Sequence, residues 1–178
     1  MTKKILHWTI QIGMILLPLF LFGGCSHMWH PGSVSPVTME TVGPLGPNLS
    51  VHLVNNQPLT ERQLFATDLG HSHFVNYKEW TDSFIRYWGD ELTKRGVSVG
   101  PQSRNTIYVK LDGFSYLHIF MVYRVGIKIH LSGQDNLWSK EIEEWEGSGS
   151  LYGAFSNAFQ LAVEKLMQNK EVLNRMKP

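Results

Sequence analysis

Between Asn76 and Gly96 the chain places Tyr77, Trp80, Phe84, Trp88 and Leu92 three or four residues apart. On an α-helix these side chains form one stripe, with Ile85 and Tyr87 at its edges and Lys78, Glu79, Asp82, Arg86 and Asp90 opposite. Each large apolar side chain gains about 1.5–3 kcal/mol on burial, so a second layer must cover this face. The ends are marked as well. Asn76 is a cap residue with Glu79 three positions on, a variant of the capping box. Gly96 supplies a left-handed stop. Asp82–Arg86, Asp90–Lys94 and Glu91–Arg95 are favourable four-residue pairs.

The period then changes from helical to twofold. Ile107, Val109 and Leu111 alternate with Tyr108, Lys110 and Asp112, and Val125, Ile127, Ile129 and Leu131 alternate with Arg124, Gly126, Lys128 and His130. The second of these strands has room to begin as early as Ile119. Gly133-Gln134-Asp135-Asn136 reads as a turn, so the segment from Leu137 to Glu146 is expected to pair antiparallel with it. Upstream, Leu49, Val51 and Leu53 alternate as a first strand; Leu64-Phe65-Ala66 offers a short strand and His71-Ser72-His73 reads as loop. A second helix is expected from near Ala154, with Phe155, Ala158, Phe159, Ala162 and Leu166 on its apolar face, and a short final helix from Lys170 to Met176. The order predicts an α+β two-layer sandwich: one mixed or antiparallel sheet with both long helices on one face, spanning residues 49–178 as a single domain.

Two further segments precede that domain. Lys3 and Lys4 are followed by an apolar stretch from Ile10 to Phe22 that ends in Gly23-Gly24-Cys25. This is the layout of a secretory signal, and it is short for a membrane span of about 20 residues. Cys25 is the chain's single cysteine, so no disulfide within the chain is available. From Ser26 to about Asn48, Pro31, Pro36, Pro44 and Pro47 alternate with Gly32, Gly43 and Gly46, the composition of an extended tether. Without Lys3 and Lys4 the 16 basic side chains fall to 14, against 15 acidic ones. Such balance disfavours nucleic acid as a partner, which calls for a basic stripe.

Small residues immediately before a lone cysteine resemble the lipobox of bacterial lipoproteins. That resemblance implies diacylglycerol on Cys25, cleavage before it and acylation, palmitate included, of the new amino terminus. Phe22 departs from the leucine favoured three residues before the cysteine. Ser26 stands where an aspartate would resemble an inner-membrane retention signal, so in a Gram-negative cell the expectation is the periplasmic face of the outer membrane. The lipobox, the Pro-rich segment, the aromatic helix ending in Leu92-Thr93-Lys94-Arg95-Gly96-Val97, the strand Val125-Gly126-Ile127-Lys128-Ile129 and the closing Ala/Phe helix are together similar to small envelope lipoproteins of the YajG type and to auxiliary lipoproteins of ABC-type transport systems. Such families imply partner-binding or accessory roles without catalysis, and no catalytic residue carries over.

Candidate chemistry is sparse. His71 and His73 share one side of an extended segment, His27 and His30 sit beside Met28, and His52 lies on the first strand. Imidazole and thioether suit copper or zinc, yet no third ligand stands at a diagnostic spacing, and solvated loop histidines are the plainer reading. Glu141, Glu143, Glu144 and Glu146 read as carboxylates that solvate a sheet edge, with a glycosidase pair as the sharper alternative. Gly147-Ser148-Gly149-Ser150 lacks the lysine of a phosphate-binding loop and reads as a turn. No cofactor motif is present. Tyr116, His118, Phe120, Met121 and Tyr123 form an aromatic run, joined by Trp138 as a candidate for partner binding; exposed, they make a recognition surface, and inside a strand they are core. The expected function is a lipid-anchored, non-catalytic accessory protein of the cell envelope that binds a protein or lipid partner. The alternative is a small envelope hydrolase or metal-binding protein built on the His and Glu clusters.

Overall fold

The computed structural model describes residues 25–68, 70–134 and 137–178. The segment 1–24, expected from its sequence to be a secretory signal, residue 69 and part of the turn after Gly133 lie outside them. Strands β1 (Ser26–Trp29), β2 (Ser50–Asn55), β3 (Arg62–Asp68) and β4 (His71–Asn76) precede helix α1 (Tyr77–Lys94). Then come β5 (Ser98–Val99), β6 (Thr106–Ile119), β7 (Val122–Gly133), β8 (Ser139–Ser148), α2 (Leu151–Gln168) and α3 (Lys170–Asn174). The main sheet has five strands in the order β5-β2-β6-β7-β8, parallel between β2 and its neighbours and antiparallel from β6 to β8.

Both long helices cover one face of this sheet, as their stripes require. Trp80, Phe84, Trp88 and Leu92 of α1 and Phe155, Ala158, Phe159, Ala162 and Leu166 of α2 are all buried. The helices meet through rings: Trp80 and Phe155 lie 4.5 Å apart, and Phe84 meets Phe159 edge-on at 5.2 Å. Asn76 caps α1 by accepting from the amides of Lys78 and Glu79. Gly96 follows its end at φ +86°, in the left-handed region. α2 starts one turn earlier than its apolar stripe suggests, because Ser150 accepts from the Gly153 amide and caps it. In β7, Gly126 lies under the indole of Trp145 from β8, at a place where a Cβ would collide with the ring. The acidic strand β8 is an edge strand, as its carboxylates imply.

Two expectations are corrected. There is a second sheet of three strands, β1-β4-β3, where a single sheet was expected. In it His71–Asn76, whose first three residues His71-Ser72-His73 read as loop in the sequence, is a strand paired antiparallel to β3, and Ser26–Trp29 pairs parallel to β4. The segment from Ser26 to Asn48 is therefore laid against the domain instead of extending away as a tether. Val37 and Val42 are buried in the core. The Arg95 guanidinium, itself buried, donates to the carbonyls of Val37 and Val42, and the Tyr87 hydroxyl donates to that of Ser35. Arg95 also pairs with Glu91 at 2.7 Å, both side chains 1% exposed. The four-residue pair Glu91–Arg95 is thus an internal clamp. Lys94 pairs with Glu91 instead of Asp90, and the Asp82 carboxylate accepts from Asn55.

Candidate cleft beside the first strand

The small sheet and the far end of the β6–β7 hairpin enclose a cleft of about 470 Å³. Its walls are mostly rings: Trp29, Tyr116, Tyr123 and Tyr152, with His27, His71, His73 and His118. Strand geometry explains the gathering. His71 and His73 are two residues apart in β4 and share one face, and His27 is the lateral partner of His73 in the parallel β1–β4 pair. Antiparallel pairing of β3 with β4 sets Asp68 opposite His71, and β6 brings Tyr116 and His118 to meet it.

Asp68 organises the polar end. Its Oδ2 accepts from the Tyr116 hydroxyl at 2.8 Å and contacts His118 Nδ1 at 2.6 Å. The Tyr116 hydrogen bond, helped by His118, holds the Asp68 carboxyl below the usual carboxylate range. Burial and the carboxylate beside it push the Tyr116 phenol well above its ordinary value. The His118 ring stacks on Tyr123 at 4.4 Å, with 11° between planes. At the other end the Trp29 indole donates to His73 Nδ1 at 2.9 Å, which leaves the ring proton of neutral His73 on Nε2. Burial, reinforced by the neighbouring His27, pushes the His73 pKa down. His27 Nε2 and His71 Nδ1 face each other at 2.9 Å.

Rings on several sides can stack against planar or apolar groups, while Asp68, His118 and the histidines offer hydrogen bonds. The Asp68–His118 pair resembles the base-and-orienter half of a nucleophilic triad. Among the described residues, however, no serine hydroxyl is hydrogen-bonded to His118, and Ser150 Oγ is taken up by the Gly153 amide. A structural zinc takes four ligands. His73 Nδ1 is taken by Trp29, and among the described residues the cleft brings no three ligand atoms close enough together to hold an ion.

The run singled out in the sequence divides. Tyr116, His118 and Tyr123 line the cleft, and Phe120 and Met121 form the hairpin turn beyond it. Trp138 does not belong with them. It is 5% exposed at the opposite end of β7, its indole donates to Glu171 Oε1, and Arg175 lies over its ring. Its candidacy as a contact residue is withdrawn on that burial. His30 is drawn away to Glu79. Asp68 was missed, since its partners stand about 50 residues away in sequence. Outside the cleft, Asp112, His130 and Glu141 bring potential ligand atoms within 4.8 Å of one another on the sheet. Lys110 engages Asp112, and Lys128 engages Glu141, at lone pairs a cation would need.

No family model and no curated protein matches the sequence. Among solved structures, a crystal structure of an uncharacterized protein is similar over 79% of this chain and 96% of its own, at 10% identity and TM-score 0.38. The lipoprotein GNA1162 from Neisseria meningitidis is similar over 68% of this chain and 99% of its own, at 16% identity and TM-score 0.33. Among the described residues, no helix is long and apolar enough to cross a membrane.

Proposed function

We propose that this chain is a bacterial cell-envelope lipoprotein, held on the membrane by lipid on Cys25, whose aromatic cleft binds a partner and performs no catalysis. The observation that carries the reading is the position of Cys25. It is exposed, it directly precedes β1, and its carbonyl accepts from the Ser72 amide at the edge of the small sheet. An acyl-bearing cysteine has to stand at the surface, and this one follows the apolar segment that ends in Gly23-Gly24. Two or three acyl chains on one residue hold firmly where a single chain anchors marginally. In a Gram-negative cell, Ser26 after the cysteine favours the outer membrane.

The cleft opens beside that anchor, so a partner is met close to the bilayer. Tyr152, 52% exposed and packed against Trp29 at 4.8 Å, forms its accessible wall. Chemical cross-linking of the lipidated protein in native membranes tests the assignment. Tyr152→Glu and His118→Ala are expected to retain lipidation and melting temperature yet lose the cross-linked partner. If the same partner is captured by both variants at the wild-type yield, recognition lies elsewhere on the surface.

A further inference from the structure

The β6–β7 hairpin ends in an apolar tip that the cleft does not use. Leu117 is 43% exposed, Ile119 56%, Phe120 90%, Met121 71% and Val122 46%. Strand β6 ends at Ile119 and β7 begins at Val122, so Phe120 and Met121 are the whole of a two-residue turn. Phe120 has φ +55°, a left-handed conformation that such turns normally give to glycine or asparagine. A bulky ring thus occupies both the most exposed and the least suitable backbone position of the hairpin. Among the described residues, no packing accounts for it. From Gly113 to Val125 the sequence contains no carboxylate, and its one fixed charge is Arg124.

The topology says what faces this tip. β1 runs parallel to β4, which is antiparallel to β3. The start of β1 with Cys25, the turn between β3 and β4, and the end of β3 therefore lie at one end of the small sheet. Asp68, at that end of β3, contacts His118, two residues before Phe120. Cys25 and the hairpin tip consequently project from the same end of the molecule, on either side of the cleft.

We infer that the β6–β7 tip inserts into the lipid bilayer as a second membrane contact beside the anchor. This rests on the reading of Cys25 as lipidated. Acyl chains on Cys25 bring this end of the protein to the bilayer, and what it meets there is an uncharged apolar wedge. Ile119, Phe120, Met121 and Val122 enter the boundary between headgroups and acyl chains. Arg124 and Tyr123 sit at headgroup level, where a cation with an apolar stem and an amphipathic ring are best accommodated. Lipid alone would leave the domain free to tumble about Cys25. The added tip fixes its orientation and turns the cleft mouth toward the membrane surface.

The test uses the full lipidated chain carrying Met121→Cys, reconstituted in vesicles of phosphatidylethanolamine and phosphatidylglycerol. Thioether-linked Cys25 does not react, so an environment-sensitive fluorophore labels position 121 alone. A mass spectrum of the labelled protein first establishes whether Cys25 is lipidated. If Cys25 is free and takes up label, the anchor reading has failed by itself. With the anchor intact, emission from position 121 should shift to the blue and be quenched best by nitroxides about 5–10 Å below the headgroup boundary. The same label on Lys170→Cys should stay water-like. Adding Ile119→Asp and Phe120→Asp should abolish quenching at 121 while the protein remains anchored. Water-like emission at 121 in the anchored protein overturns the inference. So does a blue shift that rises with protein density but is not quenched by lipid nitroxides, which would mean that a second copy covers the tip.

Discussion

Arg95 shows how one side chain can decide where a whole segment lies. Its guanidinium is saturated by the Glu91 carboxylate and by carbonyls of the 37–42 segment, all out of water. Removing it leaves the buried Glu91 carboxylate with Lys94 as its remaining cation and strips the Val37 and Val42 carbonyls of their donor, and losing one partner of a buried pair typically costs about 3–5 kcal/mol. Arg95→Ala should therefore destabilise by about that amount in denaturant melts and expose the 37–42 amides to hydrogen exchange. Arg86→Ala, on the solvent side of α1, should stay within about 0.5 kcal/mol of wild type. His73 carries a pH signature of the opposite kind from an ion pair. Burial holds its folded pKa below 6.5, so below that pH the unfolded chain takes up the proton more readily than the fold. Its neutral form supports the cleft fully above pH 6.5 and progressively less as pH falls toward the folded value. Melting temperature measured between about pH 7.5 and about pH 5.5 should fall more steeply for wild type than for His73→Gln, which removes the titrating group. Equal slopes would place the acid sensitivity elsewhere.

At the scale of elements, legibility follows the length over which a pattern repeats. α1 and α2 declare themselves because their stripes persist for several turns, and Gly96 and Asn76 mark ends by backbone chemistry that needs no partner. Phe84 and Phe159, which meet between these helices, test that layer directly. Truncating either to Ala should cost about 3–5 kcal/mol, and wild-type melting of both would remove them from the core. The small sheet was not legible. β4 is short and interleaves Ser72 with two histidines, so its alternation carries no apolar signal. Its partner β1 lies far away in the sequence, His27 pairing with His73, inside a Pro- and Gly-rich stretch whose local composition favours no sheet. The Glu91–Arg95 spacing was visible, but only the packing of the 37–42 segment over it makes the pair internal. Trp138 misled for a similar reason: its ring is buried by Arg175 and Glu171 from the chain's last turns, which the alternation of a single strand cannot register.

At the scale of the molecule, the two ends of the domain differ in kind. One end is closed by Trp138, Lys140, Glu171 and Arg175, an apolar ring tied into charge pairs. The other carries Cys25, the cleft and an apolar turn with no carboxylate in the surrounding strands from Gly113 to Val125. The cysteine proposed as the anchor stands out in the sequence by its place after Gly23-Gly24, whereas the cleft exists only through three strands meeting in space. That polarity fits the proposed reading, in which a lipid on Cys25 holds the end that carries the cleft. All of it depends on Cys25 being acylated. The intact mass of the protein extracted from membranes measures this directly. The account predicts a chain that starts at Cys25 and carries a diacylglycerol and a further acyl group, with Cys25→Ser remaining unprocessed and unacylated. A membrane-bound protein that retains residues 1–24 with an unmodified Cys25 would contradict it.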